Sequence, residues 1–374
     1  MNRTVFPGSC SAVLSPTNTR FEDSLEIGSA SLDTAMSTTY KPNNNLEVDE
    51  TAEPVECDDG YGSSPGSDTT SLSSSIRQHV KENGRTYHHY QEGKYLSPND
   101  EAERDRLDFY HAVQLEMLEK RLFLAPLENA PHRVLDCGTG TGIWALDMAD
   151  LFPSAIVTGV DLSAIQPEWV FPNVKFEIDD LDQEWTFPEN HFDFIHTRQM
   201  ITGIRDYNRF LQQMFKHTAP GGWFELVEGG FQLHSDDDTL KGSKVAHMFD
   251  SFLDCAAKAG IKLPEAEEIV QAATKAGYVD VQIVKIKQPW GAWPRDKRLK
   301  HVGRMVAAVT DPECFESYAL ALLTRVGGVS EEEGKKICRE ASREVQTTTH
   351  VHAYNWLWHV YGRKPETETN TGDA

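Results

Sequence analysis

Gly138, Gly140 and Gly142, alternating behind Asp136, constrain this chain more than any other feature of it. They follow a short apolar run at Val134, Leu135 and Cys137. They precede Ile143, Ala145, Leu146, Met148 and Ala149, which recur at helical spacing. That order predicts a buried parallel strand, a tight turn and a helix. Glycine lets the backbone turn sharply and approach a ligand that a Cβ would push away. The helix behind the turn aims free amides and the positive end of its dipole at whatever lies there.

The spacing narrows the ligand. A dinucleotide fold wants a small residue three positions after the second glycine, and Ile143 stands there. No Lys-Ser or Lys-Thr pair follows, which excludes a P-loop. A second apolar strand runs over residues 155–161 and ends in Asp161, about twenty residues beyond the glycines, where an acid accepts hydrogen bonds from a ribose diol. A third, residues 173–180, ends in Asp179 and Asp180, placed to meet an adenine amino group. Three strand ends therefore converge on one adenosine.

These segments, with Ala219-Pro-Gly-Gly-Trp-Phe224, resemble successive motifs of the class I S-adenosylmethionine-dependent methyltransferases. More narrowly, Asn83-Gly-Arg-Thr-Tyr87, Pro98-Asn-Asp-Glu101, Arg106-Leu-Asp108, the glycine turn through Trp144, Val160-Asp-Leu-Ser163, Ile165-Gln-Pro167 and His352-Ala-Tyr354 are similar to the fungal LaeA-like group. The likeness runs from about residue 83 to 365. It implies a Rossmann-like α/β fold, a mainly parallel seven-stranded sheet with helices on both faces, and S-adenosyl-L-methionine as cofactor. It implies a cofactor-binding set of Asp136, Gly138, Thr139, Gly140, Gly142, Asp161, Leu162, Asp179, Asp180 and Leu181. Asp136 would lie near the methionine ammonium, Asp161 on the ribose, and Asp180 with Leu181 near adenine, while the glycine-turn amides would meet the cofactor carboxylate. Segments before the glycine strand commonly close over the cofactor in this family, so Tyr95 joins the set as a contact to the methionine end or as a packing residue.

Composition sets the remaining bounds. Residues 1–80 are polar and acidic, with apolar residues too sparse to offset the entropy of ordering, and read as a disordered tail. The methyltransferase domain is expected over 81–365: a cofactor-covering segment over 81–130, the cofactor core over 131–230, and a C-terminal half over 231–365 with a helical insertion at about 290–346. Residues 366–374 form a second tail. A formal charge of −22 offers no basic face for nucleic acid or anionic membrane. The six cysteines are scattered without metal-ligand spacing, which predicts no metal site and a reducing compartment. No apolar stretch approaches the length of a spanning helix, so a cytoplasmic or nuclear location is expected.

The acceptor end is less legible. The fourth strand, residues 192–197, ends at His196, Arg198 and Met200, where open α/β sheets place the reacting centre. His196 is the candidate general base, against the alternative of a histidine that only bonds backbone. Glu225 and Glu228 read as solvent-facing or paired acids, and residues 235–238 as a helix N-terminal charge cap. A strand beginning at Tyr278 changes its apolar phase between Ile283 and Val284, and Trp290 and Trp293 on the turn beyond it either wall an acceptor pocket or plug the insertion onto the sheet. Two functions fit the resemblance: an enzyme methylating a small molecule of fungal secondary metabolism, or a nuclear regulator of secondary-metabolite genes working with a velvet-type protein partner.

Overall fold

The computed structural model describes residues 40–53, 79–82, 85–88 and 100–366, apart from positions 168 and 202. Tyr95 and residues 1–39 lie outside this set. Two short strands, β1 (His79–Glu82) and β2 (Arg85–His88), pair antiparallel. Helix α1 (Glu101–Met117) starts at Asp100, whose carboxylate accepts the Glu103 amide at 3.1 Å.

The core is one sheet of seven strands in the order β5-β4-β3-β6-β7-β9-β8. Strands β3 (Arg133–Cys137), β4 (Ile156–Asp161), β5 (Val174–Ile178), β6 (Phe192–Arg198) and β7 (Thr218–Gly229) run parallel. β9 (Tyr354–Arg363) enters antiparallel between β7 and β8 (Val279–Pro289). Alternate residues of the central strands face opposite layers. Val134 and Phe194 pack with Trp144, Ala145 and Met148 of helix α2 (Ile143–Leu151). Leu135 and Ile195 pack with Phe210 and Met214 of α3 (Tyr207–His217) and Ile269 of α5 (Ala266–Ala276). Being covered on both faces explains why these strands read as near-continuous apolar runs. The phase change in β8 comes earlier than expected, in a bulge between Val279 and Gln282 where Asp280 takes φ 53°.

Beyond the carboxyl ends of the strands lies a third core. Helix α4 (Lys244–Lys258), α6 (Lys297–Val309), α7 (Pro312–Phe315), a π turn (Glu316–Leu320), α8 (Ala321–Arg325) and α9 (Glu331–Thr347) gather around Phe249, Phe252, Trp290 and Phe315. The insertion is helical, and its π turn sets the Tyr318 ring among Phe249, Phe252 and Phe315. Such turns are frequent at functional sites.

The expectation of a structureless tail through residue 80 fails for residues 40–53. This stretch lies as a strap along β8 and the turn after it. Asn44 donates to the Lys285 carbonyl at 2.8 Å and accepts the Lys287 amide at 2.9 Å, so a side-chain amide satisfies the free edge of β8. Leu46 is buried with Trp293, Leu299 and Tyr354, Val48 bridges Pro294, and Asp49 pairs with Lys300. Backbone hydrogen bonding and one leucine anchor the strap, and neither registers in a composition-based reading. No helix among the described residues is long and apolar enough to cross a membrane.

Candidate active site

One cavity of about 270 Å³ runs along the carboxyl ends of β5, β4, β3, β6 and β7. Its first half is polar. Gly138, Thr139 and Gly140 line it from the turn after β3, Asp161 and Leu162 from the end of β4, and Asp179, Asp180 and Leu181 from the end of β5. A Cβ on Gly140 would meet only Leu107, at 3.7 Å, so space is open over this left-handed residue (φ 57°) and a ligand can approach its backbone. Asp161 accepts the Gly140 amide at 2.9 Å and the Ser163 amide at 2.9 Å, which holds its carboxylate at the rim of the turn. Burial nevertheless pushes its pKa up, with those two amides opposing. Such a carboxylate gains from hydroxyl donors that restore what it lost in leaving water. The lining suits an adenosine: an acid to accept from a diol, two further acids and Leu181 for a base, and glycine backbone between.

Gly142 belongs elsewhere. It is the left-handed N-cap of α2 (φ 86°), and a Cβ there would strike the Phe176 ring at 2.3 Å. It lets helix and sheet pack closely and does not line the cavity. Asp136 also stands back from it. Its two oxygens take the Thr139 hydroxyl at 2.6 Å and His196 Nδ1 at 2.8 Å, and the residue is only 3% exposed. The ammonium contact expected of Asp136 is thus replaced by a role in fixing the glycine turn.

His196, the candidate base, is corrected as well. Its ring stacks on Trp144 with centroids 3.7 Å apart and 6° between planes, and is 1% exposed. It shares a strand face with Arg198 but lies two residues, roughly 7 Å, deeper in the sheet. Trp144 covers it there, and it does not reach the cavity. Burial depresses its pKa, with the Asp136 hydrogen bond opposing.

The second half of the cavity is apolar. Met200, Ile201 and Ile204 follow β6, Phe231 and Phe249 lie on one wall, and Trp290, Val306, Val309, Cys314 and Tyr318 come from the turn after β8 and the helical insertion. Trp290 walls the pocket, whereas Trp293 is a plug beneath the strap. Tyr110 of α1 donates to Gln288 of β8 at 2.9 Å, and Gln288 and the Trp290 indole both donate to Asn355. This chain ties α1, which also lines the cleft, to the sheet. Glu228 is the acid of this half. It accepts the Met200 amide at 2.7 Å, and burial raises its pKa well above the usual carboxyl value. Glu225 faces the other way and is paired: it accepts the Leu124 and Ala125 amides and binds His359 Nδ1 at 2.7 Å. The acids of 235–238 cap no helix. Asp236 binds Tyr354 and Lys287, Asp237 binds His352, and α4 is capped by Ser243. Glu228, Tyr110 and Tyr318 are cavity residues that sequence reasoning missed. Their local pattern is that of ordinary strand and helix positions, and only the fold brings them together.

A family model described as a methyltransferase domain matches residues 109–283. Among curated relatives, methyltransferase pytC of Aspergillus terreus is 38% identical over 330 residues, spanning 88% of this chain and 98% of that protein. The secondary metabolism regulator LAE1 of Cochliobolus heterostrophus is 34% identical over 291 residues, 76% of this chain and 94% of the relative. The protein-methionine methyltransferase laeA of Emericella nidulans is 32% identical over 308 residues, 81% of each chain.

Proposed function

The chain belongs to the LaeA-like group of class I S-adenosylmethionine-dependent methyltransferases, and from that premise we propose that it methylates a small, largely apolar molecule of fungal secondary metabolism. The observation that carries this reading is the second half of the cavity. Phe249, Trp290, Val306 and Tyr318 wall a recess continuous with the cofactor half, suited to a compact ring-bearing acceptor. The 38% identity to pytC, over 98% of that protein's length, supports methyl transfer as the reaction.

In this proposal Asp161 holds the ribose diol, Asp179, Asp180 and Leu181 the adenine, and the glycine turn the backbone of the cofactor's amino-acid end. When bound, the sulfonium supplies an already activated methyl group. The chain's own task is to align an acceptor atom with it and exclude water. Tyr318 and Trp290 orient the acceptor, and Glu228 meets a polar group on it. No base is needed for a phenolate, thiolate or neutral amine. An alcohol would give its proton to Glu228.

A second reading, a nuclear regulator acting on or with a velvet-type protein, draws on the LAE1 and laeA relatives. Trp169, 93% exposed, with Val170 and Phe171 beside it, offers an apolar contact between β4 and β5 for a protein partner. The test is incubation of the full chain with methyl-labelled cofactor and a fungal culture extract separated into protein and metabolite fractions. Label in the metabolite fraction supports the enzyme of metabolism, and label confined to protein contradicts it.

A further inference from the structure

Arg198 ends β6 inside the cleft, and among the described residues its guanidinium has no acid as a hydrogen-bond partner. Its Nη1 donates to Gln114 Oε1 at 2.8 Å and its Nη2 to His111 Nδ1 at 3.1 Å. Both acceptors are neutral. A guanidinium can only donate, so His111 Nδ1 presents its lone pair, and the proton sits on Nε2, which donates to Asp147 at 2.8 Å. The carboxylate of Asp147 therefore orients the imidazole from its far side and does not touch Arg198. Among the described residues, no Asp or Glu oxygen pairs with the guanidinium. Burial depresses the Arg198 pKa, the sign of a cation that has left water without full compensation.

Position identifies the missing anion. Thr197 pairs with Cys137 across β3, which sets Arg198 beside Gly138 at the start of the glycine turn. It lines the same cavity as Gly138 and Gly140. The sheet order β5-β4-β3-β6 puts the adenosine acids over the first two strands. An adenosine held there directs its 5′ substituent over β3 and β6. Two of the five N–H groups of Arg198 are used by Gln114 and His111. Among the described residues nothing is seen to take the others, and a guanidinium offers them in the fork geometry that suits a carboxylate.

We propose that Arg198 binds the carboxylate of the methionine moiety of S-adenosylmethionine, with Gln114 and His111 holding the guanidinium ready for it. The inference rests on the reading of the polar half as the cofactor site, and the experiment separates the two. The full chain is titrated by calorimetry with S-adenosylmethionine, with its decarboxylated analogue and with 5′-methylthioadenosine. The same titrations are made on Arg198→Gln and Arg198→Lys. Wild type is expected to prefer S-adenosylmethionine over the decarboxylated analogue by about 10- to 100-fold, the range of a charge-assisted hydrogen bond. R198Q should lose most of that preference and R198K part of it. Both should bind 5′-methylthioadenosine like wild type, which reports an intact adenosine half. Wild type that binds both sulfonium ligands equally would overturn the proposal. A folded variant that keeps the full preference would overturn it too. Failure of the wild type to bind any of the three ligands would instead strike the cofactor reading itself.

Discussion

The two halves of the cleft are built from opposite materials. Most of the polar half comes from one continuous stretch, residues 138–182, which presents carboxylates and backbone, with Arg198 added from the end of β6. The apolar half is assembled from α1, the segments after β6 and β7, the turn after β8 and the helical insertion, and presents rings and aliphatic side chains. A ligand of fixed chemistry, an adenosine, can be met by a compact motif whose parts stay at fixed spacing. An acceptor that differs between enzymes is met by side chains that can be exchanged without disturbing that motif.

The comparison implies that the halves can be damaged separately. Trp290→Ala removes a ring parallel to Phe315 (centroids 6.1 Å apart) and the bond to Asn355 at 2.8 Å. Urea unfolding should show a loss of about 3–5 kcal/mol, with the cofactor affinity of the folded protein preserved; a parallel loss of affinity would mean the halves form one unit. Asp161→Ala should do the reverse. Calorimetry should show cofactor binding weakened about 100-fold, from charge-assisted bonds worth ~1.5–3 kcal/mol each. His196→Ala should cost about 2 kcal/mol of stability through the lost bond to Asp136. It should leave the pH profile of labelled-methyl transfer in its wild-type shape, and a vanished limb would restore His196 as the base.

Glu228 gives the smallest and most specific effect. Its folded pKa is raised, chiefly by burial, so the native state binds this proton more readily than the unfolded chain. Its contribution to stability is full below the unfolded pKa and is lost as pH rises through the folded one. Glu228→Gln removes that dependence. The variant should melt higher than wild type at neutral pH, by a margin that shrinks to nothing in acid, and a margin constant with pH would refute the burial account.

Legibility in the sequence divides along the same line. The seven strands, the glycine turn and the acids at 161, 179 and 180 could be read from local pattern, because strand ends and turns are short-range features. Asp136 and His196 were identified with the right strands but assigned the wrong depth. Whether a side chain at a strand's end opens to a cleft depends on what covers it, here Trp144 from the following helix. The strap was invisible because Asn44 works through backbone partners some 241 and 243 positions away. The apolar half was only partly visible. Trp290 stood out as a tryptophan on a rigid turn, whereas Tyr318 acquires its role from a π turn that no periodicity announces.

The most direct test of the two-part cleft is a crystal structure of the full chain with S-adenosylhomocysteine. The account predicts the ribose hydroxyls within hydrogen-bonding distance of Asp161, the adenine against Asp180 and Leu181, and the sulfur facing the recess between Met200, Phe249 and Tyr318. A sulfur turned away from that recess, or a nucleoside seated among the aromatic residues, would contradict it.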